Sequence, residues 1–236
     1  MNLEHLISSY QPTPTTIELV RDSKITLLVG ISGAGKDTIK KHLLQKDDYR
    51  DIISHTTRPP RVNNGDLEQD GEDYHFVSLE AAHAMLESQA FIEAKLVHNT
   101  VYGTSVQEVQ LAHDENKIAV TDIDVQGVEE YKQVSLDVVA IFILPPSYSV
   151  WRERLMQRYE SSEAFEDEWQ KRRTSAIAEL QQALSVSYYH FIINDDLENS
   201  VRIADEIAHQ GDLFNRKDDE ARLVARDLLE EILAHN

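Results

Sequence analysis

The sequence predicts an α/β fold with a central parallel sheet flanked by helices, and three observations carry that prediction. A glycine-rich turn, Gly30-Ile31-Ser32-Gly33-Ala34-Gly35-Lys36-Asp37-Thr38, joins the apolar run Ile25–Val29 to a helix-like run at Ile39–Leu44. Val138–Leu144 is apolar without alternation, which implies burial on both faces and therefore a parallel sheet. Asp122-Ile123-Asp124 closes a further strand, and open α/β sheets bind their ligands beyond the carboxyl ends of their strands.

Bulk composition narrows the functional classes. The 236 residues suit one large α/β domain or one domain with small inserts, and a hydrophobic content of 41% is enough for a core. With 42 acidic against 23 basic residues the net charge is −19, so neither nucleic acid nor an anionic membrane is an expected partner. A nucleotide substrate is still compatible, because a few local arginines and lysines bind phosphates inside an acidic chain. There is no cysteine, which excludes disulfides, thiolate metal sites and cysteine nucleophiles. Met1–Ile7 lacks a basic region followed by a long apolar run. The longest apolar run, Val138–Leu144, is far shorter than the ~20 residues that span a bilayer. The expectation is a soluble cytoplasmic protein.

Taken in order, residues 1–23 read as a surface extension in which Pro12 and Pro14 interrupt regular structure. The strand 25–29 leads through the turn into a helix at 36–46. The glycines let the backbone curl until several N–H groups point inward, while the helix N-terminus and Lys36 add positive charge. The spacing Gly30 to Lys36 fits the phosphate-loop pattern G-x-x-x-x-G-K, except that Asp37 stands where a hydroxyl residue is expected and Thr38 follows one place later. A short strand at 51–54 runs into His55-Thr56-Thr57-Arg58-Pro59-Pro60-Arg61. Two guanidinium groups on a proline-stiffened loop suit a phosphate dianion, and a solvated basic loop is the other reading.

Residues 63–73 read as a flexible acidic loop, 74–77 as a strand, 79–86 as a helix and 91–97 as a strand carrying Glu93. Val101-Tyr102-Gly103-Thr104 reads as a turn before a helix at 105–114. A strand at 117–121, a helix at 126–132, the strand 138–144 stopped by Pro145-Pro146 and a helix from Ser147 to Arg158 follow. Beyond a polar stretch at 159–168 come a long helix at 167–187, a last strand at 190–193 ending in Asn194-Asp195-Asp196-Leu197, and a helix at 198–209. In the tail, Ala221, Val224, Leu228, Leu229, Ile232 and Leu233 form one helical stripe that packs on the chain's own domain or serves a dimer. The ten histidines are scattered without metal-ligand spacing.

From Lys24 to His209 these segments resemble guanylate kinases. The resemblance rests on the phosphate loop, Ser54-His55-Thr56-Thr57-Arg58 with Arg61, Asp73-Tyr74-His75-Phe76-Val77, Phe91-Ile92-Glu93, Tyr102-Gly103-Thr104, Asp122-Ile123-Asp124-Val125-Gln126-Gly127, Ile143-Leu144-Pro145-Pro146 and Asn194-Asp195-Asp196-Leu197, in the family's order. It implies a P-loop kinase with a core at 24–55, 105–157 and 173–210, a small α+β GMP-binding insert at 56–104 and a helical lid at 158–172. An N-terminal extension (1–23) and a C-terminal amphipathic helix (211–236) flank these parts. The implied activity is transfer of the ATP γ-phosphoryl group to GMP with Mg²⁺, by a monomer or homodimer.

By matching position, Gly30, Ser32, Gly33, Ala34, Gly35, Lys36, Asp37 and Thr38 are expected at the ATP phosphates, with Asn194 near the adenine. Arg58, Arg61, Tyr74 and Tyr102 are expected at the GMP phosphate, and Ser54, Glu93, Thr104 and Asp122 around the base. Thr104 is expected to meet guanine O6. Lys36, Arg58, Arg61, Arg158 and Arg172 would supply positive charge for transfer, and Asp37 is the candidate magnesium ligand. The chain departs from the family pattern at Asp37, in a longer loop between Arg61 and Tyr74, at Ala94 where a tryptophan usually follows the glutamate, and in a longer, acidic lid. Two alternatives stand beside this expectation. A ribose 1,5-bisphosphate phosphokinase shares an aspartate after the loop lysine, and a non-catalytic guanylate-kinase-like module binds phosphorylated peptides.

Overall fold

The computed structural model describes residues 3–63, 66–97, 99–159, 161–210 and 216–235; positions 64–65 of the expected acidic loop, 160 of the lid, and 211–215 and 236 of the tail lie outside them. The N-terminal segment is helical, as α1 (Leu3–Ser8) and α2 (Pro14–Asp22). Pro14 therefore opens a helix rather than interrupting one. It occupies the first turn, where its missing N–H leaves no bond unmade, and Thr13 Oγ1 accepts from the Thr16 N–H at 3.1 Å. Next come β1 (Ile25–Val29), α3 (Lys36–Leu43), β2 (Tyr49–Asp51), β3 (His55–Thr56), β4 (Val62–Asn63), β5 (Asp66–Leu67), β6 (His75–Phe76), α4 (Leu79–Glu87) and β7 (Phe91–Val97). β8 (Thr100–Ser105), α5 (Val106–Asp114), β9 (Ile118–Asp122), α6 (Val125–Val134), β10 (Val139–Leu144), α7 (Tyr148–Met156), α8 (Ser162–Ser185), β11 (Tyr189–Ile193), α9 (Leu197–Gln210) and α10 (Arg216–Ala234) complete the order.

Three further segments differ from the sequence-based expectation. Residues 101–104 are not a turn but the body of β8, paired antiparallel with β7 through Glu93↔Thr104 and Lys95↔Tyr102. Val101, Tyr102 and Thr104 favour strand, and the reversal uses Asn99, which takes the left-handed backbone (φ 64°). The acidic loop contains a hairpin, with Val62 opposite Leu67. The acidic stretch before the long helix is itself helical, because Ser161 caps α8 by accepting from the Ala164 N–H at 3.2 Å.

The chain forms two compact units. The first comprises Met1–Ile25, Asp48–Thr121 and Glu129–Val138. It holds the parallel pair β2–β9 and a four-stranded sheet in the order β6-β3-β8-β7. α1 packs on β7 and α4, and α2 on α5.

The second unit comprises Thr26–Asp47, Asp122–Val128 and Val139–Asn236. Its strands β11, β10 and β1 are parallel neighbours in that order, with Leu28 opposite Ile141 and Phe142 opposite Phe191. Leu27, Leu28 and Ala140 to Leu144 are fully buried, as continuous hydrophobicity requires of strands covered on both faces. α10 lies on α7, α8 and β11, which cover part of the expected stripe, while Leu233 is exposed. Ala221, Ala225, Leu228 and Ile232 are buried there.

Candidate active site

In the second unit the glycine turn forms a braced loop. Gly35, at φ +99°, caps α3 against the Asn194 side chain with no room for a Cβ, and a Cβ on Gly30 would collide with the Ile143 carbonyl. Trp151 Nε1 donates to Ser32 O at 2.7 Å, and Asn194 Nδ2 donates to Ala34 O at 2.8 Å. Asn194 is itself buried and held by Leu144 O at 2.8 Å and by Arg154, which donates to its carbonyl at 2.9 Å. The carboxyl ends of β10 and β11 thus fix the loop shape, and Asn194 acts from beneath the loop. Lys36 Nζ lies across the loop and donates to Gly30 O at 2.5 Å. Asp37 and Thr38 are exposed on the first turn of α3.

Around this loop, the Asp122 carboxylate pairs with Lys40 of α3 at 3.0 Å, and Asp124 accepts from the Gly127 N–H at 2.9 Å. Of the basic triplet on α8, Arg172 is exposed and donates from Nε to Tyr159 Oη at 3.2 Å. Arg173 is buried and donates to Ile232 O at 2.9 Å, tying α8 to α10. Arg158, just beyond α7, is exposed.

Glu179, which the sequence did not single out, accepts from Ser175 Oγ at 2.7 Å. Burial pushes its carboxyl up. Ser175 and then Lys36 pull it back, Asp124 raises it and Arg172 lowers it, so these charges share one neighbourhood.

In the first unit Arg58 is buried against Glu68. Nη1 donates to Oε2 at 2.5 Å and Nη2 to Oε1 at 2.8 Å, while the Arg61 N–H donates to Oε2 at 2.8 Å. The Glu68 hydrogen bond raises the guanidinium still further, and the same contact holds the Glu68 carboxyl below its usual range. Arg58 sits 4.8 Å over the Tyr74 ring, which meets Tyr102 edge-on at 6.2 Å. Arg58, Tyr74 and Tyr102 are therefore together, with the Arg61 side chain exposed beside them and Ser54 half-buried. The acidic loop conceals the anchor Glu68; its signal was a carboxylate a short hairpin away from two arginines.

Glu93, 6% exposed, faces Thr104 across β7–β8. Its Oε1 accepts from the Thr104 N–H at 2.9 Å and Oγ1 at 2.8 Å. Oε2 is buried and accepts from no donor among the described residues. Burial pushes the carboxyl up, against the pull of Thr104, of Lys95 and of the neighbouring Glu130 carboxyl. Thr104 gives its one hydroxyl proton to Glu93, which leaves the hydroxyl oxygen as an acceptor. Tyr131, fully buried and close to Glu93, has its phenol pushed well up by burial and by that carboxylate.

The chain is similar to known proteins over most of its length. The guanylate kinase family model matches residues 22–210. Guanylate kinase from Helicobacter pylori is 38% identical over 200 residues, 82% of this chain and 92% of that one. Guanylate kinase from Sus scrofa is 36% identical over 177 residues, 74% of this chain and 86% of that one. Guanylate kinase 1 from Oryza sativa is 38% identical over 178 residues. The chain spans about half the length of the curated plant relatives it matches, 45% of the rice protein and 44% of the Arabidopsis thaliana one. The crystal structure of guanylate kinase from Anaplasma phagocytophilum has the same fold, with a TM-score of 0.59, 24% identity, and coverage of 82% of this chain and 88% of that one. A phosphate loop braced from two strand ends, a buried carboxylate on a separate small sheet and this sequence similarity converge on one assignment: the chain belongs to the guanylate kinase family.

Proposed function

We propose that the chain transfers the γ-phosphoryl group of ATP to GMP, giving ADP and GDP. The observation that carries the reading is the Glu93 carboxylate, buried with one oxygen held by Thr104 and the other left as an acceptor. Guanine presents N1–H and an exocyclic amine as neighbouring donors, and adenine lacks that pair. A buried acceptor deprived of its donor is costly, so adenine is discriminated against.

Phosphoryl transfer needs in-line positioning and charge neutralisation more than a strong base. Lys36 and the loop N–H groups take the donor phosphates, and Asn194 holds the loop in shape under the adenine nucleotide. Arg58, Arg61, Tyr74 and Tyr102 take the acceptor phosphate, Ser54 adds to the base site, and Arg158 and Arg172 bring charge from the lid. The partition into core (24–55, 105–157, 173–210), insert (56–104) and lid (158–172) belongs to this reading.

Among the described residues no three or more His, Cys, Asp or Glu form a metal cage. Magnesium bound with ATP does not require one, since it keeps waters and uses one or two carboxylates besides the phosphates. Asp37, exposed directly after the loop lysine, fits that demand, and the ion would neutralise β- and γ-phosphate charge. Among the described residues no helix is long and apolar enough to cross a membrane.

A coupled assay of ADP release with GMP, dGMP, AMP and ribose 1,5-bisphosphate as acceptors tests the reading. Turnover with GMP and little with AMP is expected. Preference for ribose 1,5-bisphosphate, or no turnover with any acceptor, overturns it.

A further inference from the structure

The segment before the family span, residues 3–21, reaches the strand that carries Glu93. α1 places Leu3 and Ile7, and with them Tyr10, against Leu86, Phe91 and Ala94. Beyond Tyr10 the chain is pinned by α2, whose Thr16 and Val20 are buried, and by Gln89 Nε2, which donates to Gln11 O at 2.9 Å. At the crossing, Tyr10 Oη donates to Phe91 O at 2.5 Å and accepts from the Phe91 N–H at 2.9 Å. One phenol thus satisfies both backbone groups of one residue.

That residue sits at a structurally weak point. β7 is the terminal strand of its sheet, so its outward backbone groups have no strand partner. The β7–β8 register also shifts between Phe91 and Glu93, and a bulge re-aims the side chain that follows it. The Phe91 ring is fully buried against Gly103 and His55, so with Tyr10 on its backbone the residue is held from two directions. Beside this packing lies a cavity of about 520 Å³, with Ile7, Tyr10, Pro12 and Ile17 on one side and Ile92 and Leu96 on the other. Two hydrogen bonds from this one side chain tie the segment to the Phe91 backbone. Burial and the nearby Glu93 carboxylate both push the Tyr10 phenol up, which places the two side chains within electrostatic reach.

We propose that Tyr10 is a positioning residue for Glu93: the N-terminal segment is a strap whose phenol locks the bulge before Glu93 and so sets how tightly the guanine base is held. The guanine role of Glu93 rests on the proposed function; the locking of the bulge does not.

The test is Tyr10→Phe in the full chain, which keeps the ring in its packing and removes both hydrogen bonds. Amide exchange at Phe91 and steady-state kinetics with GMP and ATP are measured for the wild-type protein and the variant. Exchange at Phe91 is expected to accelerate, and KM for GMP to rise about tenfold with KM for ATP unchanged, the scale of one to two lost hydrogen bonds. Tyr10→Leu, which also removes the ring, lowers the melting temperature and calibrates the effect of packing alone. Unchanged Phe91 exchange, or equal changes in the two KM values, overturns the proposal while leaving GMP kinase activity standing. A wild-type protein that ignores GMP overturns the functional reading and the guanine half of this proposal, and Phe91 exchange still decides the lock.

Discussion

Arg58 and Glu68 form a buried bidentate ion pair, at 2.5 and 2.8 Å, that carries the Arg61 backbone with it. The two arginines expected at a phosphate are thus organised by one carboxylate. Removing it leaves a buried guanidinium without its partner, so Glu68→Ala is expected to destabilise the protein by about 3 kcal/mol in urea unfolding. The KM for GMP is expected to rise with it. The sign with pH follows from the Glu68 carboxyl being held below the usual carboxylate range: the contribution is present above that range and is lost as pH falls through the lower folded value. Glu68→Ala should therefore flatten the acid limb of stability against pH.

Asn194 supports the phosphate loop through Ala34 O. Asn194→Ala is expected to raise KM for ATP by about fivefold to tenfold, the scale of one lost buried hydrogen bond, with KM for GMP unchanged. Initial rates with each nucleotide varied in turn check the split.

His55 packs against His75 with ring centroids 4.6 Å apart and planes tilted by 39°, its buried Nδ1 has no hydrogen bond among the described residues, and burial lowers its pKa from 6.5 to about 4. Between those values the unfolded chain binds a proton that the folded protein refuses. Stability from this group is therefore complete above pH 6.5 and declines as pH falls towards 4. Thermal melts across this window should show a shallower decline for His55→Phe than for the wild-type protein.

Asp37 presents a carboxylate where a hydroxyl was expected, exposed at the start of α3. If it serves magnesium, Asp37→Ser raises the magnesium concentration needed for half-maximal rate severalfold, because a neutral oxygen replaces an anionic one. Magnesium titration of the initial rate reads this directly.

The features legible in the sequence were those set by local chemistry. The spacing Gly30 to Lys36 located a loop whose backbone needs glycine, and the unbroken apolar run at 138–144 located a strand buried on both faces. Residues whose roles depend on distant partners were not legible. Tyr10 contacts Phe91, 81 positions away, and Glu68 lies in a stretch that reads as acidic loop until its hairpin folds back on Arg58. Pro14 was misread because proline stops a helix in the interior and starts one in the first turn. Thr104 matched by position, but only the β7–β8 register shows that its hydroxyl proton goes to Glu93.

The central claim is that Glu93 selects guanine, and Glu93→Gln tests it most directly. Glutamine keeps an oxygen for both Thr104 donors and replaces the free acceptor, Oε2, by an amide donor. Steady-state kinetics should show kcat/KM for GMP falling by about 30-fold or more, the scale of a lost hydrogen bond to a charged group, with KM for ATP unchanged. GMP kinetics equal to those of the wild-type protein would contradict the account.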